Sequence, residues 1–352
     1  MQTPAHDSAQ RWAQRLTALG HAVRKEIFRQ RGAAGLHVPV EIIGGDTIYE
    51  IDKRVEPIIL EHATRWADGA GTIELVAEGL GESGREVFQG ASGELPGQTW
   101  DVMIDPIDGT RNIMYDKRSA WFLATAAPGD PGNNPPMLSR CIASVMVELP
   151  TAKSNRVDDF AMFSGGKPVC VRTALDTLGD PAGEPEQIGI TPSTAATLRH
   201  GWGQVTNFFP GTKVLAAELM ERIAAETLGE ILAGEALVFD DQYLTTGGQL
   251  VELMCGRDRF CCDLRPLMFE IVRTRGGATA DGLCCHPYDM AGLLVAKQSG
   301  IIITDGFGRD LDAPFGVDHN IHWCGYANRS LRSAIEPIIH AWLREHGVVF
   351  PM

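Results

Sequence analysis

The stretch Asp105-Pro106-Ile107-Asp108-Gly109-Thr110 constrains this chain more than any other. It follows the apolar run 100–104, which reads as a β-strand, so the hexapeptide falls at that strand's C-terminal end. Two carboxylates three residues apart around a turn can converge on one point. Pro106 fixes one backbone torsion and removes an N–H donor. The Ile107 carbonyl is left free to serve as another hard oxygen ligand. Gly109 allows a tight turn or a close backbone approach. Thr110 adds a hydroxyl and an amide where a helix can begin, a place suited to a phosphate oxygen. Hard oxygen donors of this kind suit Mg²⁺ better than zinc or copper. Read alone, the string is equally a turn in which Asp caps a helix.

Further carboxylates bear on that choice. Glu78 ends the β-rich run 72–77, as Asp105 ends its own strand. Asp46 and Asp52 flank a short segment before a helix. Asp289 opens a helix in His286-Pro287-Tyr288-Asp289-Met290-Ala291-Gly292. Taken singly, Asp289 is an N-cap and Glu78 an exposed strand end. Taken together, they carry enough negative charge for two or three divalent cations. Without cations such groups repel one another and raise each other's pKa. Two metals about 3.5–4 Å apart would clamp the attacking and leaving oxygens of a phosphoryl group.

Composition narrows the partners. Acidic residues outnumber basic ones by 45 to 31 over 352 residues, a formal charge of −14. That disfavours a broad surface for a nucleic-acid polymer. No unbroken apolar run reaches the roughly 18 residues of a membrane span. The first ten residues lack a signal-peptide pattern, so a cytoplasmic protein is expected. None of the eight cysteines forms a C-x-x-C pair, which argues against structural zinc and for buried, reduced thiols.

Periodicity organises the rest. Helices are expected over 8–30, with Ser8 as N-cap, and over 52–66, 211–228, 247–255, 289–298 and 330–346. Strands are expected over 72–77, 100–104, 236–240, 269–274 and 300–304, and as an antiparallel pair over 119–127 and 141–149. Residues 79–99 read as a long glycine-rich loop. The Gly- and Pro-rich tract 176–196 divides the chain into an N-terminal α+β part, 1–195, and a C-terminal α/β part, 196–352. Mixed helices and strands imply a layered α/β fold.

At this point several blocks resemble the inositol monophosphatase family of Mg²⁺-dependent sugar phosphatases, which includes fructose-1,6-bisphosphatase. Asp46-Thr-Ile-Tyr-Glu-Ile-Asp52-Lys-Arg-Val-Glu56 is similar to its D-x-V-T-x-x-D-x-x-V-E stretch. Asp105–Thr110 matches D-P-I/L-D-G-T, with Asn112 also in place. Thr246-Gly247-Gly248-Gln249-Leu250 and Cys255-Gly256-Arg257-Asp258 resemble its small-residue helix and G-R-x-D. Tyr288-Asp289-Met290-Ala291-Gly292 resembles W-D-x-A-A/G, and residues 300–305 resemble its G-G-x-V-T-D strand. The departures are Gly79 after Glu78, Tyr288 for Trp and Ile51 for Thr.

The resemblance implies an α-β-α-β-α sandwich with the site between its halves. It implies two or three Mg²⁺ ions. Glu78, Asp105 and the Ile107 carbonyl would take the first. Asp105, Asp108 and Asp289 would take the second, and Glu78 would help hold a weaker third. Thr110, Asp52 and Glu78 would orient or activate the attacking water. Asp108, Gly109, Thr110 and Asp289 would meet a small phosphorylated substrate. Lithium sensitivity and a homodimer are implied as well.

Other readings remain open. Glu82 rivals Glu78 as a ligand. Arg111, Lys117 and Arg118 would meet a second phosphate or lie solvated, and Asp281 would bind a substrate hydroxyl or sit in a polar loop. An aspartyl-phosphate phosphatase uses D-x-D-G-T, whose spacing differs from that seen here. A metal-binding relative without turnover and a glycosidase with paired carboxylates are the remaining alternatives.

Overall fold

The computed structural model describes residues 4–31, 39–43, 46–81, 83–90, 99–130, 134–280 and 282–351. Its helices are α1 (Pro4–Gln30), α2 (Glu50–Ala70), α3 (Thr110–Met114), α4 (Lys213–Leu228), α5 (Thr246–Met254), α6 (Arg265–Thr274), α7 (Leu293–Gln298) and α8 (Arg329–Glu345). An eight-stranded sheet runs in the order Glu186–Ile188, Val169–Ala174, Arg156–Phe163, Ala143–Leu149, Ala120–Pro128, Thr99–Asp108, Thr72–Ala77, Arg85–Phe88. A five-stranded sheet runs Val238–Phe239, Gly201–Val205, Asp258–Asp263, Trp323–Tyr326, Ile302–Asp305.

Strand alternation sorts the side chains into layers. Phe122 and Ala124, with Val145 and Val147, pack under α1 and α2, against Leu16, Leu19, Val23, Val55 and Ile59. Trp121, Leu123 and Met146 point the other way, onto Leu250 and Leu253 of α5 and Val295 of α7. Cys261 of the smaller sheet joins that same middle core. Its neighbours Phe260 and Cys262 face Leu215 and Leu219 of α4 and Ile335 and Trp342 of α8. The architecture is therefore α-β-α-β-α, as the resemblance implies. Gly20 lets α1 lie close on the sheet, since a Cβ there would come within 2.6 Å of Val147 Cγ2.

Register positions the carboxylates. Thr72–Ala77 and Thr99–Asp108 are parallel neighbours with Ala77 opposite Ile104. The residues that follow, Glu78 and Asp105, thus emerge side by side at one end of the sheet. On its other flank, Thr99–Asp108 pairs antiparallel with Ala120–Pro128, and the register slips between Asp105 and Asp108. Pro106, which has no ladder N–H, lies in this bulge, a common way of re-aiming side chains.

Several elements differ from expectation. Phe269–Thr274 is the end of helix α6, not a strand. Pro266 stands in its first turn, and Leu267, Met268 and Ile271 form its buried face. The loop 79–99 contains the strand Arg85–Phe88, antiparallel to Thr72–Ala77. Helix α1 begins before Ser8, so Ser8 is an interior position that accepts from Arg11. The helix expected over 289–298 is a 3-10 turn, Tyr288–Met290, followed by α7. No helix among the described residues is long and apolar enough to cross a membrane.

Candidate metal centre

Oxygens of Asp105, Asp108 and Asp289 all lie within 4.8 Å of one another. Asp105 and Asp108 are buried, at 3% and 6% exposure. Asp105 is held by its own bulge, where its Oδ1 accepts from the Ile107 amide at 3.1 Å. Asp108 is held from across the middle layer. Thr245 Oγ1 donates to it at 2.5 Å, and the Gly247 and Thr246 amides donate at 2.5 and 3.2 Å. Thr245 is also the N-cap of α5, accepting from the Gly248 amide at 3.0 Å. One hydroxyl therefore caps the helix and orients the carboxylate, and the N-terminal end of α5 favours its negative charge. Asp289 Oδ2 accepts from the His286 amide at 2.5 Å. The His286 and Tyr288 rings stack beside it, with centroids 5.3 Å apart.

The electrostatics follow from this crowding. Burial, and then Asp108, Asp289 and Glu78, push the Asp105 carboxyl well above the usual range. Burial and Asp289 raise Asp108 to about 8, against the opposing pull of the Thr245, Gly247 and Thr246 donors. Repelling carboxylates in a dry setting are costly unless a cation joins them. The donor set is all hard oxygen, so it fits Mg²⁺.

The other predicted residues gather at the same place. Asp52, Glu78, Asp105, Ile107, Asp108, Gly109, Thr110 and Asp289 all line one cavity of about 70 Å³. Thr110 Oγ1 lies 2.9 Å from the Ile107 carbonyl and 3.2 Å from Asp52 Oδ1, and its single proton serves one at a time. Asp52 is fixed from behind, its Oδ2 accepting from the Tyr49 amide at 2.8 Å at the start of α2. Gly109 has φ 95°, and a Cβ there would lie 3.1 Å from both Asn112 Nδ2 and Thr245 Cβ. Asn112 Nδ2 bonds the Leu244 carbonyl at 2.9 Å, which ties the D-G-T turn to the segment entering α5.

Of the three basic residues after the motif, only Arg111 lines this cavity. Lys117 and Arg118 line another, of about 300 Å³. Arg118 there pairs with Asp241 at 2.5 Å and covers the Tyr243 ring at 3.6 Å. Glu82 and Asp281 lie outside the described residues, as does the Asp46 side chain.

Sequence reasoning missed Arg265 and Phe208. Arg265 is buried in the cavity wall, forked onto Asp263, with Nη1 on the Leu283 carbonyl at 2.8 Å. Its guanidinium stands 5.0 Å from the Phe208 ring centre. The available signal was Pro266, which marks a helix start and so places Arg265 at a helix N-terminus.

The cradle of Asp108 offers a test of local packing. Gly247→Ala would put a Cβ 2.7 Å from Leu123 Cδ2 and 3.0 Å from Asp108 Oδ2. Denaturant unfolding should show a loss of about 1–3 kcal/mol, the usual cost of overpacking. An unchanged midpoint would show that the helix end can shift freely.

No family model matches the sequence, and no curated protein matches it. Solved structures do match. Leishmania major fructose-1,6-bisphosphatase in holo form aligns with TM-score 0.59 at 13% identity, over 98% of this chain and 96% of that one. A Pyrococcus horikoshii protein described by its similarities to inositol-1 monophosphatase gives 0.58 at 15%, over 94% and 98%. A Thermotoga maritima IMPase gives 0.55 at 15%, over 97% and 100%. Near-complete coverage in both directions means that the whole layered architecture is shared. The chain has the fold of the inositol monophosphatase and fructose-1,6-bisphosphatase structures.

Proposed function

We propose that this protein is an Mg²⁺-dependent phosphatase that hydrolyses a small phosphate monoester. The observation that carries the reading is the convergence of the buried Asp105 and Asp108 with the half-buried Asp289. Glu78, Asp105, the Ile107 carbonyl, Asp108 and Asp289 would hold two or three ions. Bound there, the ions supply positive charge to the phosphoryl oxygens and make water more acidic.

The chain's own residues do the rest. Thr110 Oγ1 accepts a hydrogen bond from the attacking water and passes its own proton towards Asp52. Asp52 is oriented for this by the Tyr49 amide. Gly109 and Thr110 line the cavity, and their amides would receive phosphate oxygens. Asp108 and Asp289 keep the ester in line with the water, a gain in orientation rather than in covalent chemistry. A cytoplasmic homodimer inhibited by lithium belongs to the same reading.

The test is phosphate release across a panel of inositol, sugar and nucleotide phosphates, with and without Mg²⁺. Release from at least one ester, lost on chelation, is expected. Tight Mg²⁺ binding without any release would favour a non-catalytic relative. A trapped phospho-enzyme would favour an aspartyl-phosphate route.

A further inference from the structure

Two of the groups assigned to the site come from different layers. Asp52 is carried by the first turn of helix α2, and Glu78 follows the strand Thr72–Ala77 of the larger sheet. Glu78 sits in a tight turn. The Leu80 amide donates to the Ala77 carbonyl at 3.3 Å, which closes residues 77–80 with Glu78 and Gly79 at the centre. Gly79 has φ 69°, the positive torsion that the third residue of a type II turn requires. A side chain with a Cβ resists that torsion, so a glycine directly after Glu78 suits the turn. The closing bond is long, and by itself it makes a loose mount for a ligand.

Lys53 connects the two layers. It follows Asp52, and its Nζ donates to the Gly79 carbonyl at 3.0 Å and to Glu56 Oε2 at 3.1 Å. Glu56 lies three residues along the same helix, so it steadies the ammonium against the turn. Lys53, Glu56 and Gly79 are all half-buried. A cavity of about 30 Å³ lies between helix and turn, with Lys53 and Glu56 on one wall and Gly79 and Leu80 on the other. The turn is therefore not packed solidly against α2, and the lysine bridges the gap. Pro57 adds to this. It has no N–H, so the Lys53 carbonyl lacks its partner four residues on, and the first turn of α2 is joined less firmly to the rest. The bond from Lys53 to residue 79 offsets that loss.

We propose, on the reading that Glu78 is a metal ligand, that Lys53 is a positioning residue for the metal centre. By holding the Gly79 carbonyl it fixes where the Glu78 carboxylate stands in the cleft. Its charge and its hydrogen bond act in opposite directions. An ammonium near a cation site repels the cation, so removing the charge alone would tighten Mg²⁺ binding. Losing the tether would weaken binding, since groups that orient a ligand typically govern metal affinity by about 10–100-fold.

Calorimetric titration with Mg²⁺, on protein first stripped with chelator, separates the two. Glu78→Gln identifies the binding step that involves Glu78, as the one it weakens, and leaves the Asp105–Asp108–Asp289 cluster in place. Lys53→Met removes the ammonium and keeps an apolar stem. It should weaken that same step by at least about tenfold. Lys53→Arg retains N–H donors and should recover most of the loss. In the Glu78→Gln background, Lys53→Met should change Mg²⁺ affinity by less than about twofold, because the charge it positions is gone.

Thermal melts in chelator distinguish positioning from general support. A merely structural lysine would lower the midpoint and weaken Mg²⁺ binding equally in both backgrounds, and that result would overturn the proposal. Unchanged or tighter binding by Lys53→Met, beside a weakened Glu78→Gln, would overturn it too while leaving Glu78 a ligand. A Glu78→Gln protein that binds Mg²⁺ as the wild type does would remove Glu78 from the centre, and the role of Lys53 with it.

Discussion

Asp105→Asn should leave a folded protein that has lost phosphate release by at least about 10³-fold, several kcal/mol of lost charge stabilisation. The fold should survive because the amide oxygen of Asn can still accept from the Ile107 amide, the backbone donor that seats this side chain in its bulge. What disappears is a negative charge at the centre of the cluster. The metal-free protein should then become more stable, since Asp105 is repelled by Asp108, Asp289 and Glu78. The pH dependence has a definite sign. Asp105 and Asp108 both have folded pKa values above the ordinary carboxylate range. Their contribution is present below the unfolded value of 3.8 and is lost as pH rises, through about 8 for Asp108. Metal-free wild type should therefore melt at progressively lower temperature between pH 5 and 8, and Asp105→Asn should show a shallower slope. Mg²⁺ should restore the wild type at pH 8 and do little for the variant. Thermal melts in chelator and in Mg²⁺, run beside the phosphate assay, read all of this. Retained phosphate release would remove Asp105 from the site.

The carboxylates were legible because each stands at a place where sequence pattern is strong. Glu78 and Asp105 end short apolar strands, and the parallel register of those strands brings them together. Asp289 follows the turn former Pro287. The partners of Asp108 were harder to see. Thr245, Thr246 and Gly247 lie some 140 residues downstream and meet it only because α5 is packed between the two sheets. No local signal reports a contact of that kind.

Helix α6 shows a different limit. Phe269-Glu270-Ile271-Val272 reads as a strand when taken over a few residues, because short apolar runs do not separate the two periods. Extending the window back to Pro266 resolves it, since 266, 269 and 273 then fall on one face and 267, 268 and 271 on another. Strands such as Arg156–Phe163 and Asp258–Asp263 went unread for a related reason. The first is interrupted by the buried Asp158 and Asp159, and the second is bounded at its two ends by the buried Asp258 and Asp263. Asp158, Asp159 and Asp263 are offset by Arg172, Arg24 and Arg265. A buried carboxylate neutralised by an arginine looks, in sequence, like the end of a strand.

Thr110→Ala and Asp52→Asn should each lower kcat by about 10²–10⁴-fold, the range for a positioned proton acceptor. The Mg²⁺ half-saturation should move little, because neither residue belongs to the Asp105–Asp108–Asp289 cluster. The reason lies in one proton. The Thr110 hydroxyl is placed between the Ile107 carbonyl, at 2.9 Å, and Asp52, at 3.2 Å. When the Ile107 carbonyl is engaged elsewhere, Asp52 is the acceptor left, and Thr110 Oγ1 then presents lone pairs to the water. Asn at position 52 keeps an oxygen for the Tyr49 amide but turns N–H donors towards Thr110, which reverses the direction of the hydrogen bond. The proton taken from water then has nowhere to go. Because the two side chains act in series, Thr110→Ala combined with Asp52→Asn should cost little more than either alone. Thr110→Ser should stay within about tenfold of wild type, since the hydroxyl is retained without the methyl that fixes its rotamer. A Mg²⁺ half-saturation that rises in step with the fall in kcat would show instead that the pair holds a cation, and additive losses in the double variant would show that the two act separately.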